Sequence, residues 1–128
     1  MGRRKRGKVY AMLIRNLFDA PYELQSIHDG KGRGKNALVF DAKDFDTPLK
    51  FIRYVEMEPG SSIGVHPHGE NEEIYVVLSG NGVMTVNDES QFVKPGDVIL
   101  NKPGWRHGLV TTSQEPLKLF VFEVDQVR

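Results

Sequence analysis

Gly60-Ser-Ser-Ile-Gly-Val-His66-Pro-His68-Gly-Glu-Asn-Glu-Glu73-Ile-Tyr-Val-Val-Leu-Ser-Gly80 is the stretch on which the fold and the chemistry of this 128-residue chain turn. On an extended strand, side chains at i and i+2 share a face, so His66 and His68 converge. The turn from Gly69 to Glu72 lets the next strand return antiparallel and puts Glu73 on that same inward face. Two imidazoles and a carboxylate then meet at one point, a facial triad with open positions that suits Fe, Mn, Ni or Zn.

Outward from this stretch the chain keeps the same rhythm. From Asn36 onward, short apolar runs alternate with turn residues about every ten positions, the pattern of an all-β sandwich or barrel. The expected strands are Ala37–Phe40, Leu49–Met57, Ile63–His68, Glu73–Leu78, Val83–Val86, Gln91–Val93, Val98–Leu100, His107–Thr111 and Leu117–Val124. Between them stand Pro59-Gly60, Ser79-Gly80-Asn81-Gly82, Asn87-Asp88, Lys94-Pro95-Gly96-Asp97 and Lys102-Pro103-Gly104, all turn formers. Nine strands in so short a chain imply tight antiparallel hairpins, closed on themselves into a single barrel whose mouth admits a small ligand. The 39% apolar content fits one domain of this length, which needs no metal merely to fold. With no cysteine, thiolate nucleophiles, disulfides, Zn–Cys sites and iron–sulfur clusters are excluded. No apolar run reaches the length of a membrane span, and the expected location is the cytoplasm.

A second block, Gly96-Asp-Val-Ile-Leu-Asn-Lys-Pro103-Gly104-Trp-Arg-His107, brings a fourth candidate ligand from a later strand. Together the two blocks resemble the paired signature of the cupin family: glycine, five residues, His-x-His, four residues, Glu, six residues, glycine, then a glycine, a Pro-Gly turn and His. The resemblance implies a small jelly-roll or double-stranded β-helix cupin. Two positions depart from the family pattern, with Lys102 where a proline is common and Thr111 where an asparagine is frequent. Neither is a ligand. The implied centre is one divalent metal held by His66, His68, Glu73 and His107, with Mn or Fe favoured and Zn or Ni as alternatives. Glu70 and Glu72 are competing oxygen donors, although strand parity selects Glu73. Because ligating imidazoles must be neutral, binding is expected to weaken as the pH falls through about 6.

Parity carries further expectations. Tyr75 shares the face of Glu73, and Trp105 shares that of His107, so both are expected to line the pocket. Arg53 and Tyr54 lie on opposite faces of the preceding strand, and only one can face the cavity; Arg53 there would offer a clamp for a substrate carboxylate. No catalytic residue is assigned. By resemblance the protein is a metal-dependent enzyme acting on a small carboxylate, like the oxalate decarboxylases and oxidases or the dioxygenases. The alternatives are a sugar-phosphate isomerase-like enzyme and a non-enzymatic metabolite-binding module. His28 is read as a surface or hairpin histidine rather than a lid ligand.

The net charge is zero, yet Arg3, Arg4, Lys5, Arg6 and Lys8 crowd the first eight residues. The other 12 basic residues face 17 acidic ones, a net of −5, which argues against a nucleic-acid-binding body. Residues 1–11 read as a disordered basic leader and residues 12–128 as the domain. Asp19 is expected to cap a short helical turn. Gly30-Lys-Gly-Arg-Gly-Lys35 looks like a phosphate cradle but runs into a strand rather than a helix, and reads as a flexible loop whose Lys31, Arg33 and Lys35 would suit an anionic ligand. Apolar residues of the parity opposite to the ligands, Ile74, Val76 and Leu78, call for a second layer, and a homodimer is expected to supply it.

Overall fold

A computed structural model describes residues 12–126, so the basic leader expected over residues 1–11 lies outside the described part. Among these residues, alternating apolar patterns become ten strands, five of them ended by the turns noted above. They are β1 (Tyr22–Gln25), β2 (Gly34–Asp41), β3 (Leu49–Met57), β4 (Ser62–Pro67), β5 (Glu72–Ser79), β6 (Gly82–Val86), β7 (Glu89–Val93), β8 (Val98–Asn101), β9 (Arg106–Thr111) and β10 (Leu117–Val124). A single 3-10 turn, Ala42–Asp44, follows β2 and is capped by the Asp41 side chain. The β1 strand was not expected from the sequence. The helical turn anticipated at Asp19 is an isolated turn, and its backbone is held by Asn16, whose side-chain oxygen accepts from the Phe18 amide at 2.8 Å.

The strands form two antiparallel sheets, one ordered β1-β2-β3-β10-β5-β8 and the other β4-β9-β6-β7. This is the expected jelly-roll, but the hydrogen-bond ladder does not run continuously around a closed barrel. Instead the sheets face each other and share a core. Leu117 and Leu119, both fully buried, and Val77 meet Ile63, Met84 and Leu109 of the opposite sheet. Period-2 alternation decides which residues enter. In β10, Leu117, Leu119, Val121 and Glu123 are buried while the residues between them are half-buried. Three apolar side chains and one carboxylate thus occupy the inner face of a central strand.

A smaller cluster covers the outer face of β2 and β3. Ala37, Val39 and Tyr54 are buried there against Leu17, Ala20, Phe40 and Ile52. Residues 17–20 therefore supply within the chain part of the second layer that the outward apolar positions demanded. They do not reach the other end of the sheet, where Leu78, Val98 and Leu100 are exposed.

The segment before β2 is fastened rather than flexible. Ile27 forms an isolated parallel bridge with Ile63, the Gly64 amide donates to the Ile27 carbonyl at 3.1 Å, and the Ser62 amide donates to the Lys31 carbonyl at 2.8 Å. His28 and Asp29 sit at the head of this turn with φ of 50° and 57°. The approach is so close that a Cβ on Gly30 would overlap the Ser62 carbonyl oxygen, and one on Gly64 would overlap that of His28. Glycine is required at both positions.

Candidate metal centre

β4 and β9 bring the first two ligands together. His66 and His107 are directly paired across the two strands. A register shift between Ile63 and His66 explains how residues three apart both turn inward, since a bulge reverses the alternation. His68 follows the end of β4 and is held by its amide, which donates to the Trp105 carbonyl at 2.7 Å. Glu73, the second residue of β5 on the facing sheet, points its Oε1 at His107 Nε2, 3.3 Å away, and at His68 Nδ1, 4.0 Å away. One nitrogen each from His66, His68 and His107 lies within 4.8 Å of the others. The four side chains expected as ligands thus gather at one end of the sandwich, with Glu73 beside His68 and His107, while Glu72 lies 3.1 Å from Lys102 Nζ.

The tautomer of His66 is set locally. Its Nδ1 lies 2.8 Å from the Gly64 carbonyl, an acceptor only, so Nδ1 carries the proton and Nε2 is left with its lone pair. His107 is wholly buried and neither ring nitrogen has a hydrogen-bond partner; His68 Nε2 is in the same condition. Buried polar atoms are normally satisfied, and the unpartnered Nε2 atoms of His68 and His107, beside the Glu73 carboxylate and the free Nε2 lone pair of His66, are donors that a divalent cation would satisfy. The residues present therefore fit a metal.

The cavity beside these groups has a volume of about 390 Å³. Tyr75 lines it, on the face of Glu73, and of the alternatives on β3 it is Arg53 that lies on the wall, whereas Tyr54 is buried on the other side of the strand. Arg53 is fixed by a bond from Nη1 to Asn36 Oδ1 at 3.1 Å and lies over the Phe51 ring, 4.7 Å from its centroid. Trp105 does not reach the cavity. It precedes β9, after a turn in which Gly104 has φ of 78°, and is 40% exposed, because strand parity fails where the strand has not begun. Lys31, Arg33 and Lys35 are likewise absent from the wall, and Lys35 instead lies 4.0 Å from Glu56 and over the Tyr22 ring.

Two groups at the site were not foreseen. His28 stacks face to face on His66, with centroids 3.5 Å apart, and the surface-histidine reading gives way to a place on the cavity wall. Glu123 of β10 projects its Oε1 to within 3.6 Å of His68 Nε2. The sequence did carry a signal for Glu123, because it continues the inward series Leu117, Leu119, Val121 where an apolar residue belongs.

The cupin domain family model matches residues 53–123, more than half of the chain and the whole of the ligand set. The chain belongs to the cupin family. An oxalate-binding protein of Thermotoga maritima is 28% identical over 107 residues, which are 84% of this cupin and 88% of that protein. An uncharacterized protein of Methanocaldococcus jannaschii is 40% identical over 60 residues, 47% of this chain and 48% of its own. Among solved structures, a predicted oxalate decarboxylase from T. maritima is similar with a TM-score of 0.84 at 25% identity, over 88% of this cupin and 99% of that chain. A polyketide cyclase from Streptomyces resistomycificus shares the fold with a TM-score of 0.76 at 23% identity, over 91% and 81% of the two chains.

Burial moves the protonation equilibria of this cupin in opposite directions. It lowers the pKa of His66 and His68 and pushes His107 down to about 4. It raises Glu73, against the pull of His68 and His66, and pushes Glu123 up to about 7, with Glu73 adding to the rise and Lys50 opposing it. Each imidazole is therefore shifted toward its neutral form, His107 most of all, while both carboxylates are shifted toward holding a proton. As the pH falls below about 7 a proton settles on Glu123, and the negative charge lost beside the cluster would weaken the hold on a cation. Metal affinity is expected to fall from about pH 7 downward, by up to about tenfold per pH unit for one displaced proton, in a chelator-competition titration. A flat profile between pH 5 and 7 would contradict this assignment of the titrating groups.

Proposed function

We propose that this cupin holds one divalent metal, with manganese or iron favoured, and acts on a small carboxylate of the oxalate class as a decarboxylase, oxidase or dioxygenase. The observation that carries the reading is Arg53, a guanidinium held in place on the wall of the same cavity as the ligand set. His66, His68, Glu73 and His107 would hold the metal. When bound, it supplies a Lewis acid that draws in anionic oxygens and stabilises negative charge as it develops. Arg53, already fixed by Asn36, offers paired N–H donors to a carboxylate and needs little ordering to do so. Tyr75, buried on the face of Glu73, lines the same cavity. The name of the oxalate-binding relative supports binding of such an anion, and that of the predicted oxalate decarboxylase supports its turnover.

The test is calorimetry of the metal-loaded protein with oxalate and malonate, coupled to assays for formate, carbon dioxide and hydrogen peroxide. Arg53→Gln is expected to weaken oxalate binding by about tenfold or more, the scale of a lost charged hydrogen bond, with metal content unchanged. Binding without product would favour the metabolite-binding module. Failure of both acids to bind the loaded protein would end the carboxylate reading. The sugar-phosphate alternative loses its main support, since Lys31, Arg33 and Lys35 are not on the cavity wall.

The expected homodimer is carried by Leu78, Val98 and Leu100, exposed together toward the β5–β8 side of the larger sheet. A second copy covering this edge would bury them and protect the β8 edge from irregular pairing. Sedimentation equilibrium at micromolar concentration should give twice the chain mass, and the chain mass alone would refute the dimer.

A further inference from the structure

We propose that Glu123 is a fifth protein donor of the metal centre, a second carboxylate beyond the three histidines and Glu73. The inference rests on the metal reading above and extends it. Glu123 and Glu73 are directly paired across β10 and β5. Both side chains are turned inward, with Glu123 only 7% exposed. Like charges placed directly opposite on adjacent strands repel, and here there is little water to screen them. A cation between the two carboxylates removes the repulsion.

Three further observations point the same way. His68, whose side chain is only 7% exposed, directs its unpartnered Nε2 at Glu123 Oε1. One donor atom each from His68, Glu73 and Glu123 lies within 4.8 Å of the others, so His68 belongs both to this trio and to the trio of histidines. The pairing of β10 with β3 shifts register between Glu123 and Val124, the kind of local bulge that re-aims a side chain. On its outer side Glu123 Oε2 is 3.6 Å from Lys50 Nζ. Five protein donors on an octahedral ion leave a single open position. A ligand entering through two oxygens would displace Glu123, and Lys50 stands where the released carboxylate would go.

The experiment compares wild type with E123Q, E123M and H66A as full chains at pH 8. Mn2+ affinity is read by chelator competition, the ligand field by the visible spectrum of the Co2+-loaded protein, and stability by melting with and without Mn2+. The expected result for E123Q is a Mn2+ affinity lower by about tenfold or more, a changed Co2+ spectrum, and an apo melting temperature equal to or above that of wild type because the facing charges are gone. A role confined to the Lys50 ion pair would instead lower the apo melting temperature and leave the Co2+ spectrum alone, and that outcome overturns the proposal. E123M repeats the test with a similarly shaped side chain that has no oxygen. An unchanged Mn2+ affinity and Co2+ spectrum in E123Q and E123M, with binding lost in H66A, rejects Glu123 as a donor while the metal centre stands. Equal behaviour of H66A and wild type rejects the metal centre itself.

Discussion

Replacing His107 with alanine is expected to lower divalent-metal affinity by at least about tenfold while the sandwich still folds, and His66→Ala is expected to do the same. His107 is wholly buried between His66 and Tyr75, with ring centroids 4.5 and 5.6 Å away. Its two nitrogens find no hydrogen bond there, so the ring gives the apo protein little polar stabilisation and removing it leaves a modest void. The loss falls on the cation, which goes from three imidazoles to two. A double variant, His66→Ala with His68→Ala, should retain no stoichiometric metal after dialysis, as judged by elemental analysis, with circular dichroism confirming the sheet. Full metal content in that double variant would sink the assignment.

Gly30→Ala should cost about 1–3 kcal/mol of stability, the range for an overpacked interior, and lower the melting temperature by about 3–5 °C for each kcal/mol. The new methyl has no flexible neighbour to push aside, since it meets the Ser62 carbonyl oxygen and lies 2.8 Å from the Gly64 amide nitrogen. The turn must lift away from β4. With it go the bonds from the Gly64 amide to Ile27 and from the Ser62 amide to Lys31, and the stack of His28 on His66 opens. Metal affinity should therefore fall along with stability, although Gly30 is not a ligand. An unchanged melting temperature would show that this turn is not fastened as described.

His66, His68 and Glu73 were legible because their geometry is local: a period of two at the end of β4, one tight turn, and a return strand that begins at Glu72. His107 was legible only through the second block and the family resemblance, since 34 residues separate it from Glu73. His28 was hidden for a physical reason. It stands in a turn with positive φ, without periodicity, and reaches His66 because Gly30 and Gly64 allow two backbones to touch. No pattern within residues 26–33 reports on that contact. Glu123 was readable in principle from the inner series of β10, but its partners lie on β3, β5 and the His68 segment. Trp105 shows the converse failure, a period-2 rule carried one residue past the end of a strand. The turn residues placed the strands well, yet they could not tell a closed ladder from two facing sheets, because both use the same hairpins.

β10 lies between β3 and β5 in the larger sheet, although it is the last of the described strands to be synthesised. On a ribosome, therefore, His66, His68, Glu73 and His107 all emerge before the strand that joins the two halves of their sheet. Until β10 inserts, β3 and β5 present open edges to every other chain nearby, and the interval is set by the rate of translation rather than by the rate of collapse. Loading of the proposed metal would then follow release of this segment, and a slow release would prolong the exposure of both edges.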